Sequence, residues 1–334
     1  MAIIEVAGLV KEFRSPKRFS GPLGGVRTLL TRQYMSKLAV DGVDFSVEEG
    51  EIVAYLGPNG AGKSTTIKIL TGILQPTAGQ VHVAGLVPWR HRQRNALNIG
   101  VVFGQRSQLW WDLPLLDSLE LIGKLYGMER SRHTENIARF TEVLDLGPFL
   151  QTPVRQLSLG QRMRGDLAAA MLHEPTLLYL DEPTIGLDVV AKTRIRDFIG
   201  VLNRDEGTTV ILTTHDLDDV ERLCSRIILI DGGKVLYDGD VDALKSDYAR
   251  HRQLVVQLDG EPRWHGAFLA GLQGDPEVSL TDPGTLVLRF DPERTAVSDL
   301  IGAVMAGCPV RDLSIVEPAL EDVIHRIYSA SSVS

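Results

Sequence analysis

The stretch that decides the fold reads Gly57-Pro58-Asn59-Gly60-Ala61-Gly62-Lys63-Ser64-Thr65. It matches the pattern G-x-x-x-x-G-K-[ST] of phosphate-binding loops. Residues 51–56 before it predict a short buried strand, and residues 64–70 after it carry apolar side chains at helical spacing. A strand, a glycine loop and a helix turn backbone N–H groups and a helix N-terminus toward one point. We therefore predict that the chain binds a nucleoside triphosphate, with Lys63 on the β- and γ-phosphates and the Ser64 hydroxyl on Mg²⁺.

The bulk properties narrow the class of protein. With 334 residues, 44% of them hydrophobic and 23% charged, the chain predicts one large and one small globular domain. A net charge of −8 argues against nucleic acid as the main partner. No apolar run approaches the roughly 18–20 residues that span a bilayer. If the function involves crossing a membrane, we expect another chain to do the crossing.

Two further apolar runs, 177–180 and 209–213, predict central strands, and helical stretches before each indicate a largely parallel α/β core. The first run ends in Asp181 and Glu182, which suit a Mg²⁺-side carboxylate and a group that deprotonates the attacking water. A capping aspartate at a strand-to-helix turn is the structural alternative for this pair. His215 after the second run, and a serine and a glycine at the helix start 157–161, are weak signals by themselves.

Taken in order, these segments resemble the ATP-binding subunit of ABC transporters over residues 3–240. Within this range, the stretch Leu109-Trp110-Trp111-Asp112-Leu113-Pro114 resembles the corresponding segment of a bacterial branch whose ATPases pair with drug-export-type permeases. The two tryptophans are either interface anchors or core residues under the helical part of the domain.

The resemblance implies roles for residues around the nucleotide. Phe13 would stack on the adenine with Val40 beside it. Gln105 would sense Mg²⁺ and link the site to the membrane partner, although Gln108 is a second candidate because an extra glycine, Gly104, precedes Gln105.

The resemblance also assigns the chemistry of hydrolysis. Asp181 would help to hold Mg²⁺, Glu182 would act as the general base and His215 would contact the γ-phosphate. Mg²⁺ would thus be held by Ser64, Gln105 and Asp181.

A family signature is present in altered form as Ser158-Leu159-Gly160-Gln161, with Leu159 where the family usually has glycine. Ser158 and Gly160 would contact the γ-phosphate bound by the other subunit, and Asp188 would communicate between subunits. These roles imply a head-to-tail homodimer with two composite ATP sites.

The expected fold is α/β, a P-loop ABC ATPase core followed by a small C-terminal α+β domain. We expect the ATPase domain at 1–245, with a helical subdomain at about 106–170, and the accessory domain at 250–330. An insertion at 14–37 holds six basic residues and no acidic one. We hypothesise that it contacts the membrane surface or the permease. A loop without a partner and a shield over the nucleotide are the alternatives.

The resemblance implies the ATP-hydrolysing subunit of an exporter, peripheral on the cytoplasmic side of the membrane and coupled to polytopic permease subunits. The alternative is a mechanical regulator on a membrane anchor that moves no substrate. A DNA-repair or ribosome-bound ABC protein fits less well, because the chain has neither a long coiled-coil insertion nor a second cassette.

Overall fold

The computed structural model describes residues 1–17, 33–104, 106–248, 252–259, 274, 276–282, 284–316 and 320–331. The chain divides into two compact units, Met1–Gly239 and Asp240–Ser334. The sequence placed this boundary after residue 245, whereas residues 240–245 group with the second unit. No helix within the described ranges has both the length and the hydropathy to cross a bilayer.

The first nine strands are β1 (Ala2–Pro16), β2 (Tyr34–Glu48), β3 (Ile52–Leu56), β4 (Ala78–Val83), β5 (Ile99–Phe103), β6 (Leu177–Asp181), β7 (Thr209–Thr213), β8 (Arg226–Asp231) and β9 (Lys234–Asp240). The helices that accompany them are α1 (Lys63–Leu70), α2 (Arg92–Asn98), α3 (Leu115–Leu125), α4 (Arg130–Val143), α5 (Leu159–Met171), α6 (Val189–Glu206) and α7 (Leu217–Leu223).

A six-stranded sheet in the order β5-β6-β7-β3-β8-β9 forms the centre of the first unit. The pairs β5–β6, β6–β7, β7–β3 and β3–β8 are parallel. Every residue of β3 and β7 is buried, which explains why both read as uninterrupted apolar runs in the sequence. Parallel pairing brings the carboxyl ends of these strands to one edge, where the predicted site residues follow.

A three-stranded antiparallel sheet in the order β2-β1-β4 adds a second layer. Its buried side chains share one apolar core with β3 and α1, so the phosphate-loop helix is packed on both layers. The expected insertion at 14–37 is strand at both ends, because β1 continues to Pro16 and pairs there with Tyr34 of β2. Residues 18–32 lie outside the described ranges.

The segment that we expected to be a helical subdomain contains α3, α4 and all of α5 except its last residue, with 3₁₀ turns at Gly147–Phe149 and Val154–Gln156. Contacts of α5 with α3, α4 and β5 tie this part to the central sheet. The signature residues therefore begin a helix that runs from the helical part to the core.

The second unit is an α+β fold, as expected. Its elements are α8 (Val241–Tyr248), β10 (Arg252–Leu258), β11 (Glu277–Asp282), β12 (Thr285–Phe290), α9 (Val297–Gly307), β13 (Val310–Val316) and α10 (Leu320–Ser331). The four strands form an antiparallel sheet in the order β11-β12-β10-β13, and α9 packs its apolar side on it. By its sequence, Pro318 suits the first position of the last helix, and it lies outside the described ranges.

Two buried tyrosines test how hydrogen bonding contributes to the stability of the core of the first unit. The Tyr55 hydroxyl donates to Thr66 Oγ1 at 3.3 Å, whereas the Tyr179 hydroxyl on β6 has no hydrogen-bond partner among the described residues. We expect Tyr55→Phe to lower the free energy of unfolding by about 0.5–1.5 kcal/mol. We expect Tyr179→Phe to leave it unchanged or to raise it by about 1 kcal/mol, because a buried, unsatisfied hydroxyl is removed.

Urea unfolding of the two variants beside the parent protein measures both changes. An equal loss of stability in the two variants would contradict the difference in hydrogen bonding.

Candidate functional site

The phosphate loop ends in a helix start that has no side-chain cap. Gly62 precedes α1 with φ of +112°, and a Cβ there would lie 2.5 Å from the Ala39 carbonyl oxygen. Only glycine suits this position, because the backbone is left-handed and Ala39 is too close. The first N–H groups of a helix have no partner within the helix. An anion at this point supplies that partner and is favoured by the helix dipole.

Lys63 is buried in this loop. Its ammonium donates to the carbonyl oxygens of Gly57 and Pro58, the latter at 3.2 Å. Burial lowers the pKa of Lys63, while the nearby Glu182 and Asp181 oppose that shift. A buried cation beside unpaired N–H groups fits the phosphates of a nucleotide, whose charge offsets its desolvation.

Two carboxylates follow β6. Asp181 Oδ1 accepts a hydrogen bond from Thr213 Oγ1 at 2.5 Å. Glu182 has φ of +56°, which is uncommon for a residue other than glycine, and its N–H donates to the Thr213 carbonyl at 2.9 Å. Thr213 is not among the site residues predicted from the sequence, and the β6–β7 register places it directly beside Asp181.

Glu182 and His215 form a pair at the ends of β6 and β7. His215 Nε2 lies 3.2 Å from Glu182 Oε1, and the His215 backbone N–H donates to Oε2 at 3.3 Å. Burial raises the pKa of Glu182, and His215 opposes the shift. A carboxylate that is desolvated and fixed in this way has the properties of a general base.

The segment before Gln105 packs under the two carboxylates. Gly104 N–H donates to the Asp181 carbonyl at 2.7 Å, and a Cβ on Gly104 would lie 2.6 Å from the Glu182 carbonyl oxygen. The glycine that looked like an extra residue in the sequence is therefore the one that fits this close approach. Gln105 itself lies outside the described residues.

Gln108, the second candidate for the sensing glutamine, is held elsewhere. Its side-chain amide donates to the Asp166 carbonyl, and its backbone N–H donates to Asp166 Oδ1, both at 3.1 Å. Burial raises the pKa of Asp166 to about 6, so this carboxyl is a strongly desolvated anchor on α5.

The two predicted adenine-binding residues lie on the paired strands β1 and β2. Phe13 on β1 is 42% exposed, and the Lys11 ammonium lies 5.2 Å from the centre of its ring. Val40 on β2 is buried, and its Cγ2 would lie 3.5 Å from a Cβ on Gly62. Val40 therefore supports the loop, while the Phe13 ring is available for stacking.

The signature residues begin α5 with a capping box. The exposed Ser158 hydroxyl accepts from the Gln161 N–H at 3.2 Å, and Gln161 Oε1 accepts from the Ser158 N–H at 2.9 Å. Leu159, the departure from the family pattern, packs toward Gly186, where a Cβ would lie 3.1 Å from Leu159 Cδ2. The exposed Asp188 caps α6 by accepting from the Ala191 N–H at 2.8 Å.

Side-chain oxygens near the phosphate loop suit the Mg²⁺ that accompanies a nucleotide. Among the described residues, no three histidine, cysteine, aspartate or glutamate side chains cluster as a metal site. Mg²⁺ is commonly held by one or two protein oxygens together with the phosphates of its nucleotide. Ser64 and Asp181 provide such oxygens.

This chain is similar to known proteins over most of its length. A family model described as ABC transporter matches residues 40–185. The daunorubicin resistance ATP-binding protein DrrA3 of Streptomyces coeruleorubidus is 35% identical over 87% of this chain and 92% of its own length. The chain belongs to the ABC transporter ATP-binding proteins. This ABC protein binds ATP and is an ATPase.

Two other similarities agree with that assignment. The linearmycin resistance ATP-binding protein LnrL of Bacillus subtilis is 31% identical over 87% of this chain and 94% of its own. This chain also matches the dimeric, post-hydrolysis structure of the cassette MJ0796 bound to ADP and Pi, with a TM-score of 0.59 and 25% sequence identity. The match covers 71% of this chain and 98% of the MJ0796 chain. The α/β ATPase fold expected from the sequence is thus confirmed.

Replacing the buried lysine should separate ATP binding from folding. We expect Lys63→Ala to raise the Kd for ATP by about 10–100-fold, the equivalent of losing a charged hydrogen bond worth about 1.5–3 kcal/mol. Fluorescence titration with an ATP analogue measures the change. Lys68→Ala, one turn further along α1, is the matched control and should bind normally. Unchanged affinity in Lys63→Ala would show that this ammonium does not face the phosphates.

Proposed function

We propose that this ABC ATPase powers the export of a drug-like compound through membrane-spanning permease subunits, by closing head to tail with a second copy around ATP. The observation that carries the proposal is the Glu182–His215 pair, 3.2 Å apart, beside the buried Lys63. The similarity to two drug-resistance ATP-binding proteins over most of their lengths supports the direction of transport. The permease, the dimer and a peripheral position on the cytoplasmic side are parts of this proposal.

In the proposed reaction, the Glu182 carboxylate accepts a proton from the water that attacks the γ-phosphate. His215 orients Glu182 and contacts the γ-phosphate, and Lys63 stabilises the charge on the phosphate oxygens. Mg²⁺ supplies further charge neutralisation when the nucleotide is bound, with Ser64, Asp181 and Gln105 as the proposed protein ligands. Such phosphoryl transfer depends mainly on positioning and electrostatics.

A second copy is proposed because the signature faces solvent. The Ser158 hydroxyl accepts its capping bond and so keeps its proton for another acceptor. Beside it, the segment around Asp188 exposes Ile185, Val189 and Val190. A polar helix start next to exposed apolar residues suits contact with a second subunit that carries a bound nucleotide. The same arrangement supports Gly160 and Asp188 as residues that act across the interface.

A permease segment is proposed to dock at the helical part. A cavity of about 310 Å³ lies there, and its lining includes Phe103 and Arg106, on either side of Gln105, together with Gln108 and Tyr126. Trp110 and Trp111 follow with 39% and 53% of their surface exposed, which favours an interface over a core role. A segment bound in this cavity would touch the chain on both sides of Gln105.

The insertion and the second unit are proposed to support this assembly. The ribbon formed by the ends of β1 and β2 exposes Tyr34 and Met35, with Arg14, Lys17 and Lys37 nearby in the chain. Basic and apolar side chains together suit an anionic membrane surface. We propose that 14–37 makes this contact and that 250–330 serves as the accessory domain.

Removal of the proposed base tests the catalytic assignment. We expect Glu182→Gln to bind ATP but to hydrolyse it about 10²–10⁴-fold more slowly, the range for losing general-base help. The variant should accumulate as an ATP-bound dimer in size-exclusion chromatography. Near-normal turnover would remove Glu182 from its role, and a slow variant that stays monomeric with ATP would contradict dimer closure.

Mixing two defective chains tests the shared site. We expect Ser158→Arg to abolish hydrolysis while leaving ATP binding by the monomer intact, because a bulky cation blocks closure only. Mixed with Lys63→Ala chains, it forms dimers in which one composite site is intact and both defects fall in the other. ATPase assays of the mixture should show activity above that of either variant alone. A mixture as inactive as its components would contradict two independent composite sites.

A further inference from the structure

A buried carboxylate behind the catalytic pair joins the two segments that carry it. Asp219 lies on α7 with no exposed surface. It accepts hydrogen bonds from Thr184 Oγ1 at 2.5 Å and from Thr214 Oγ1 at 3.4 Å. Thr184 is two residues after Glu182, and Thr214 immediately precedes His215. The Asp219 side chain therefore accepts hydrogen bonds from the segment that follows Glu182 and from the segment that precedes His215.

The charge of Asp219 is paired from the opposite side. Arg196 on α6 donates through Nε to Asp219 Oδ1 at 2.5 Å and is itself largely buried. A fully buried charge is tolerated only when it is paired and hydrogen-bonded, and removal of one partner is then costly. Hydrogen bonds from Thr184, Thr214 and Arg196 therefore hold the Asp219 carboxylate in place.

The turn with His215 has a second set of bonds. Asp216 N–H donates to Thr214 Oγ1 at 2.9 Å, and the Asp216 carboxylate pairs with Lys192 and, at 3.5 Å, with Arg196. The backbone on both sides of His215 is therefore held against α6 and α7. The His215 side chain itself is 54% exposed, so few contacts other than Glu182 and its own backbone fix its position.

Glu182 needs such support because its backbone is strained. A positive φ at a residue other than glycine persists only where the surroundings over-determine it. The bond from Glu182 N–H to the Thr213 carbonyl fixes one side of the residue, and the Thr184–Asp219 bond fixes the chain just after it. Both bonds therefore act on the chain next to Glu182, whose Oε1 lies 3.2 Å from His215 Nε2.

We propose that Asp219 is a positioning residue for ATP hydrolysis, which sets Glu182 and His215 relative to each other through the hydroxyls of Thr184 and Thr214. The inference rests on the proposed roles of Glu182 and His215. Asp219 contacts neither the phosphate loop nor Lys63 in any described hydrogen bond or ion pair. Its loss should therefore slow turnover without weakening ATP binding.

The hydroxyl of Thr184 is the cleanest point to test, because removal of the charge itself risks unfolding. We expect Thr184→Val, nearly equal in shape, to lower kcat by about 10–100-fold, the range for a small misplacement of reacting groups. KM and the affinity for ATP should stay within about twofold, since ground-state binding is not changed. Thr184→Ser keeps the donor and should restore kcat.

Thr209→Val is the matched control. Thr209 is equally buried, its hydroxyl accepts from the Gly50 N–H at 2.9 Å, and it stands at the opposite end of β7 from His215. It should lose stability as Thr184→Val does, measured by urea unfolding, but keep the parent kcat. An equal drop in kcat in both variants would overturn the proposal in favour of a general effect on folding.

A second background separates this inference from the function on which it rests. In Glu182→Gln, the added Thr184→Val should cause no further loss in single-turnover hydrolysis, because the hydroxyl acts through Glu182. A full additional loss there would overturn the proposal. If Glu182→Gln is slow and Thr184→Val alone is normal, the role of Asp219 fails and the proposed function stands. If Glu182→Gln turns over normally, both fail.

Discussion

Three parallel strands, β6, β7 and β3, end side by side, and each is followed by part of the ATP site. Asp181 and Thr213 are in register, and Ala54 of β3 is paired with Leu212 of β7. The phosphate loop follows β3, the carboxylates end β6, and His215 follows β7. Because parallel strands point the same way, segments far apart in sequence converge without a long loop. A change in this register would separate Glu182 from the phosphate loop.

The electrostatics of the site are set by the burial of its charged groups. Burial disfavours the charged forms of both Lys63 and Glu182, and each opposes the shift in the pKa of the other. We propose that a bound nucleotide places anionic oxygens beside Lys63 and that its Mg²⁺ lies beside the carboxylates. The charged groups are therefore desolvated before the substrate arrives, which is the condition under which electrostatic catalysis is strongest.

The sequence predicted the parts of the fold that depend on local pattern. The uninterrupted apolar runs identified β6 and β7, and the glycine-rich motif identified the loop before α1. The sequence did not predict the hydrogen bonds that join segments far apart in the chain. Thr213 beside Asp181, and Asp219 between Thr184 and Thr214, are set by sheet register and helix packing, which no local pattern records.

Departures from the family pattern also needed the structure. Gly104 looked like an extra residue in the glutamine loop, but it lets the backbone pass under Glu182. Leu159 stands where the family usually has glycine, and it packs against Gly186. The ends of the insertion pair as strands through their backbones, so their irregular side chains hid them from a periodicity argument.

We propose that the phosphate loop of one chain faces the signature of another. Disulfide formation between chains with Asn59→Cys and chains with Ser158→Cys, both in a Glu182→Gln background, tests it directly. Both positions are exposed and the two native cysteines are buried. We expect a cross-link in the mixture with ATP, and none with ADP or in either variant alone. Absence of a cross-link with ATP, in chains shown to bind it, would contradict the head-to-tail arrangement.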